Sequence, residues 1–153
     1  MARALLDVQR ADDAHTAARL RTEPIIWLGT TRPDGRPHHV PVWFLWADPV
    51  TVLFSMPAAQ KVRNIGRTPS VALTLDSADS GRDIVLAEGR AEVVPDSALG
   101  PMTASFAEKY SELLTGQSFE SWRATFSVPV LVTVSKVVAW TRKEGQLSYR
   151  AVP

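Results

Sequence analysis

The chain contains no cysteine, which removes disulfide bridges, thiolate nucleophiles and zinc–thiolate centres from consideration. It also lacks any sustained apolar run. Before Asp7 the N-terminus offers only Leu5 and Leu6 as an apolar pair, too little for a signal peptide, and no later stretch approaches the length of a membrane span. A cytoplasmic location and no membrane partner are the resulting expectations. Charge of one sign is scarce as well: 17 Lys and Arg against 16 Asp and Glu leave a net +1, far from the one-sided basic balance of a nucleic-acid binder, so no nucleic-acid partner is expected. Neither G-x-G-x-x-G nor G-x-S-x-G occurs, which argues against a Rossmann dinucleotide site and against a nucleophile elbow.

What is present is the composition of a globular protein. With 153 residues, 45% hydrophobic and 22% charged, the chain suffices for one core and hardly for two, so residues 1–153 are expected to form a single domain. An Ala-rich stretch with interspersed Arg and Asp predicts an N-terminal helix within residues 1–22, closed off by Pro24. Strands are predicted at 25–31, 36–46, 51–55, 70–75, 82–94 and 130–140. Arg32-Pro33-Asp34-Gly35 is a turn signature joining the first two as a hairpin. Gly89 interrupts the fifth, the mark of a bulge or a close backbone approach. A helix is expected over 58–67, and two more carry Phe106, Tyr110 and Leu114, then Phe119, Trp122 and Phe126. The fold class is therefore mainly β with helical additions, a six-stranded antiparallel barrel over 25–143 rather than a doubly wound sheet, with 144–153 as a tail.

Segment 36–46 is apolar on both faces. Even positions give His38, Val40, Val42, Phe44 and Trp46, and odd positions His39, Pro41, Trp43 and Leu45. A strand in a small antiparallel barrel ordinarily has one solvated face, so this one needs cover from a helix, a second subunit or a ligand. Pro41 removes a ladder donor and favours an edge or a bulge. His38 and His39, being adjacent, point to opposite faces and do not share an ion easily, so no metal site is expected.

Between Pro49 and Leu75 there is no Asp or Glu, yet Lys61, Arg63 and Arg67 fall inside that window. On a helix Gln60, Lys61 and Asn64 share a polar face while Val62 and Ile65 turn to the core. The free amides at the helix start, after Ser55-Met56-Pro57, lie at the positive end of its dipole, and with Lys and Arg nearby they suit a phosphate. A solvated cationic face is the competing reading of the same residues.

Gly29-Thr30-Thr31 followed by Asp34-Gly35-Arg36-Pro37, then Gln60-Lys61-Val62-Arg63-Asn64-Ile65, then Ala87-Glu88-Gly89-Arg90-Ala91 resemble, in this order and spacing, the pyridoxamine 5′-phosphate oxidase-like split-barrel family. The likeness spans about residues 22–143, and looks closest to an actinobacterial branch of coenzyme F-420-dependent reductases. The resemblance implies a homodimeric split β-barrel with two cofactor sites at the subunit interface. It places the tricyclic ring along Val40-Pro41-Val42, beside His38. Lys61 would pair the phosphate, Arg63, Asn64 and Gln60 would assist, Ser55 and Met56 would line the approach, and Trp140 would reach in from the partner subunit.

Two departures bear on activity. Residues 141–153 contain no His, whereas members that oxidise pyridoxamine phosphate carry an Arg-x-His type motif there, which points away from that reaction. Ala59 and Gln60 stand where FMN-type members tend to place an extra Arg, which favours the deazaflavin coenzyme F-420 over FMN. The implied function is an oxidoreductase passing a hydride from reduced F-420 to a small organic substrate. The alternatives are an FMN-dependent oxidase or reductase, and a non-catalytic flavin or F-420 carrier. Such chemistry resides in the cofactor, and the sequence singles out no catalytic residue among His38, His39 and bound water as proton donors.

Overall fold

The hairpin signature forms as its residues dictate. In the computed structural model, which describes residues 3–143 and 146–152, Gly35 takes φ 84° and the Asp34 carboxylate accepts from the Arg36 backbone N–H at 3.1 Å, so the chain reverses from β1 (Ile26–Thr31) into β2 (Pro37–Val42). Six further strands follow: β3 (Leu45–Ala47), β4 (Val50–Ser55), β5 (Ser70–Leu75), β6 (Asp83–Val93), β7 (Val128–Lys143) and β8 (Gln146–Val152). Their helices are α1 (Ala11–Thr22), α2 (Gln60–Arg67), α3 (Met102–Tyr110) and α4 (Phe119–Thr125).

All pairings are antiparallel, in the order β2-β1-β5-β6-β7-β4-β3, and the sheet curls into a half-barrel. The long β7 makes this possible by dividing one edge between two partners, β4 along 128–133 and β8 along 137–143. Closure depends on a bulge. Glu88 pairs Lys136 but Gly89 pairs Val134, leaving Ser135 as the extra residue, and the two strands approach so closely that a Cβ on Gly89 would lie 2.4 Å from the Thr133 carbonyl oxygen.

The expected fold class holds, and among the described residues the strand count is eight rather than six. The single strand expected over 36–46 is two strands, β2 and β3, broken at Trp43-Phe44. The break is held from a distance: the Tyr110 hydroxyl accepts from Phe44 N–H at 2.8 Å and lies 2.8 and 2.9 Å from the carbonyl oxygens of Pro24 and Phe44. Lys109 donates to that same Phe44 carbonyl at 2.9 Å and stands 3.9 Å from the Phe44 ring centre. Residues 146–152 of the expected tail form β8, because Arg150 donates to the buried Asp13 carboxylate and Ser148 to Asp12, both on α1. Helix α1 is fixed in turn by Arg19, whose guanidinium donates to Asp83 and to the Asp76 carbonyl.

Two apolar clusters result. One fills the barrel interior, with Leu28, Phe44, Leu53, Leu73 and Val130 fully or almost fully enclosed. The other lies between β4 and the inserted helices and is aromatic: Phe54, Phe106, Tyr110 and Trp122, with Trp43, Phe119 and Phe126 against it. Burying each such ring stabilises the fold by about 1.5–3 kcal/mol. Helices α3 and α4 thus supply the cover that Trp43 required, while the Phe44 ring turns into the barrel interior.

Candidate functional site

The site is built where the edge strand β2, the break at Trp43 and helix α2 meet. On β2 the side chains alternate: His38, Val40 and Val42 face inward, and Pro37, His39 and Pro41 are exposed. His38 and His39 thus part to opposite faces, His39 stacking on Trp27 at 5.2 Å. Pro41 occupies the sheet's edge, where its missing N–H costs no ladder bond on the open side.

Helix α2 begins without a side-chain cap. Its N-cap is Ala59, whose methyl accepts nothing, whereas helices ordinarily place Ser, Thr, Asp or Asn there. Among the described residues the backbone N–H groups of Gln60 and Lys61 have no partner, so the positive end of the helix stays open.

The polar side chains of α2 divide into two groups. Asn64 is completely buried, which corrects its expected place on an outward polar face. Its amide donates to Thr30 Oγ1 at 2.9 Å, and its Oδ1 accepts from Gln60 at 2.7 Å. Gln60 in turn accepts from Arg63, which also donates to the Ala58 carbonyl. Thr30 Oγ1 lies 3.4 Å from His38 Nδ1. Burial, and then the positive charges of Arg32 and Lys61, hold the His38 imidazole below its usual range, so at neutral pH it is uncharged. Gln60, Arg63, Asn64 and His38 therefore form one chain of hydrogen bonds joining α2 to β1 and β2.

Lys61 stands outside that chain. Its ammonium has no hydrogen bond or counter-ion among the described residues, it is half-buried, and burial lowers its pKa. It borders a cavity of about 290 Å³ whose other walls are Ile25, Pro41, Val42, Trp43, Phe54, Trp122 and Phe126. Trp122 stacks on Phe126 at 4.6 Å and on Trp43 at 5.3 Å, and Trp43 on Tyr110 at 4.4 Å, so the walls are flat, rigid rings. An apolar pocket with a single unpaired cation is suited to a planar, anion-bearing ligand.

The structure thus brings Pro41, Val42 and Lys61 together in one cavity and binds His38, Gln60, Arg63 and Asn64 into the adjoining network. Val40 is half-buried and packs against the barrel core. Ser55 is buried, its hydroxyl donating to the Met56 carbonyl at 3.3 Å, while the Met56 side chain is exposed. Trp140 lies elsewhere on the same chain, on β7 opposite Tyr149, and does not line the cavity. Trp43, Trp122 and Phe126 are legible in the sequence as apolar spacing, which alone does not separate a cavity wall from a core, and Phe54 is legible only as part of the strand expected over 51–55.

The family model described as pyridoxamine 5′-phosphate oxidase matches residues 12–140. No curated protein matches the sequence. Among solved structures the chain is similar to an F-420 reductase, at 27% identity and TM-score 0.62, covering 78% of this chain and 93% of that one. It is similar to a conserved hypothetical protein from Mycobacterium tuberculosis at 28% identity and TM-score 0.67, covering 86% and 88%. An FAD-binding protein from Mesorhizobium loti shares the fold, at 23% identity and TM-score 0.64, covering 82% and 90%.

Proposed function

Since the chain belongs to the pyridoxamine 5′-phosphate oxidase family, we propose that it is an oxidoreductase that binds coenzyme F-420 at the β2–α2 site and uses it to reduce a small organic acceptor. The observation that carries this reading is Lys61, a half-buried ammonium without a partner among the described residues, at the rim of an aromatic cavity bounded by Pro41 and Val42. The donor set fits the group. Pro41, exposed at the edge of the sheet between the half-buried Val40 and the buried Val42, offers a surface against which a tricyclic ring packs, and the uncapped start of α2, with Arg63 beside it, offers amides and a cation to a phosphate. The F-420 reductase among the similar structures and the absence of an Arg at positions 59 and 60 favour the deazaflavin over FMN.

When bound, the cofactor supplies the hydride chemistry, and the residues of this chain bind it, orient it and keep water from it. Trp43, Trp122 and Phe126 exclude solvent, and the neutral His38, held by Thr30 within the same network, keeps the strand and helix in register. A second copy of the chain is part of the proposal. Pro41, Trp27, Thr74, Leu86 and Val138 lie in register across the outer face of the sheet, an unusually apolar row for a solvated face. Trp140, which does not line the Lys61 cavity of its own chain, would complete the partner's site from this face.

The test is turnover of reduced F-420 with a panel of quinone and unsaturated lactone acceptors. Acceptor-dependent oxidation at a rate that saturates with cofactor is expected. Saturable binding with no oxidation by any acceptor would replace the reductase reading with that of a carrier.

A further inference from the structure

Of the four lysines in the chain, Lys109 on α3 is held in a way that makes little use of its charge. Its Nζ donates to the Phe44 carbonyl at 2.9 Å and lies 3.9 Å from the Phe44 ring centre and 5.5 Å from that of Tyr110. Among the described residues it has no ion pair, and the acid that acts on it through space, Glu23, is bound to Arg19 at 3.0 Å. A main-chain carbonyl needs only an N–H, which a neutral nitrogen also supplies. Half-buried, Lys109 lines a cavity of about 360 Å³ between the ends of α1 and α3, shared with Thr22, Pro24, Glu108, Ser111, Glu112 and Leu113. Burial brings its ammonium down to about 8 from 10.5. At pH 7.5 roughly a quarter of it is then free amine, against roughly one part in a thousand for an ordinary lysine.

We infer that Lys109 is a site of acylation by neutral acyl thioesters, and that the acyl group lodges in this cavity while the new amide N–H keeps the Phe44 carbonyl. The Nζ lone pair attacks the thioester carbon, so that an N–C bond forms and the C–S bond breaks. The sulfur leaves with the bonding pair and takes up the proton that the nitrogen sheds, and nothing is oxidised or reduced. Glu108 and Glu112 in the cavity wall repel anionic donors such as acyl phosphates, which sets the neutral thioester as the class. The product is a neutral amide, without the desolvation cost that the half-buried ammonium carries. Acylation also removes the cation–π contact with Phe44. Phe44 follows Trp43, a wall of the aromatic cavity, so the modification acts at the break between β2 and β3.

The experiment incubates the whole protein with S-acetyl-N-acetylcysteamine at pH 7.5 and follows acetylation of each lysine by peptide mass mapping. Lys136, whose ammonium lies 3.7 Å from the Glu88 carboxylate, is the internal reference. Acetylation of Lys109 should run about tenfold or more faster than that of Lys136, and the preference should vanish in urea, where the side chains share one ordinary pKa. Acetyl phosphate should show a smaller preference for Lys109. Lys109→Arg, which keeps the charge and the donor, should leave the rates at the other lysines unchanged. Protein acetylated at Lys109 should remain folded by circular dichroism, and its urea midpoint should not rise between pH 8 and 10 as that of the unmodified chain does. Acetylation of Lys109 no faster than that of Lys136 would overturn the inference. So would a modified chain that unfolds at pH 7.5, since the cavity would then not accept the acyl group.

Discussion

The Trp43-Phe44 break depends on one hydroxyl, and Tyr110→Phe removes that oxygen while keeping the ring that stacks on Trp43. Tyr110 is completely buried. Its hydroxyl accepts from Phe44 N–H at 2.8 Å and has the Pro24 and Phe44 carbonyl oxygens within 2.9 Å. Without it the Phe44 amide is left buried and unpaired, at about 1–3 kcal/mol, and the bond donated by the hydroxyl is lost, at about 1 kcal/mol. The Phe44 carbonyl is still held by Lys109, so nothing further is orphaned there. The expected total is about 2–4 kcal/mol, or a fall in Tm of roughly 5–15 °C for a chain of this size. Urea denaturation followed by tryptophan fluorescence reads the midpoint, with an unchanged m-value showing that two-state unfolding persists. Because Trp43 borders the cavity, ring binding should weaken in step with stability. A loss below about 0.5 kcal/mol would show that the break does not rest on this hydroxyl, and the account of why β2 and β3 separate would be wrong.

Gly89→Ala should lower stability by about 2–4 kcal/mol, since its Cβ would meet the Thr133 carbonyl at 2.4 Å; thermal unfolding checks this, and a wild-type Tm would refute the close approach. Lys109 tests pH dependence. Burial depresses its ammonium to about 8 from 10.5, so between these values the unfolded chain binds more protons than the folded one and stability rises with pH. Wild type should therefore gain on Lys109→Met as pH goes from 8 to 10 in urea titrations; parallel curves would contradict it. Trp140→Ala should leave Trp43 and Trp122 fluorescence and the chain's own fold intact, yet weaken cofactor binding by about tenfold if the partner's site uses it; unchanged affinity would remove Trp140 from that site.

The elements legible in the sequence are those whose causes are local. Arg32-Pro33-Asp34-Gly35 carries its own turn, Gly89 marks the bulge, and the spacing of Phe106, Tyr110 and Leu114 marks a buried helix face. What was not legible depends on distant partners. Nothing between Trp43 and Phe44 punctuates the apolar run, and the break is imposed by Tyr110, far along the chain. β8 reads as a tail because its pairing rests on Arg150 and Ser148 meeting Asp13 and Asp12 on α1. Asn64 reads as a surface amide because its partner Thr30 lies on another strand. In the site, the acid-free window pointed to α2, but only the structure separates Lys61, which borders the cavity without a partner among the described residues, from Gln60, Arg63 and Asn64, which are occupied with one another.

On the proposed reading the β2–α2 site holds a flavin-type ring, with the deazaflavin preferred. The most direct test is a side-by-side titration of the purified protein with F-420 and FMN, followed by quenching of tryptophan fluorescence. Trp43 and Trp122 border the cavity, so saturable quenching at one ligand per chain is predicted for F-420, with weaker binding of FMN and with the signal reduced in Trp122→Phe. Tighter binding of FMN would reassign the cofactor. No saturable quenching by either ligand would show that the β2–α2 site holds no such ring.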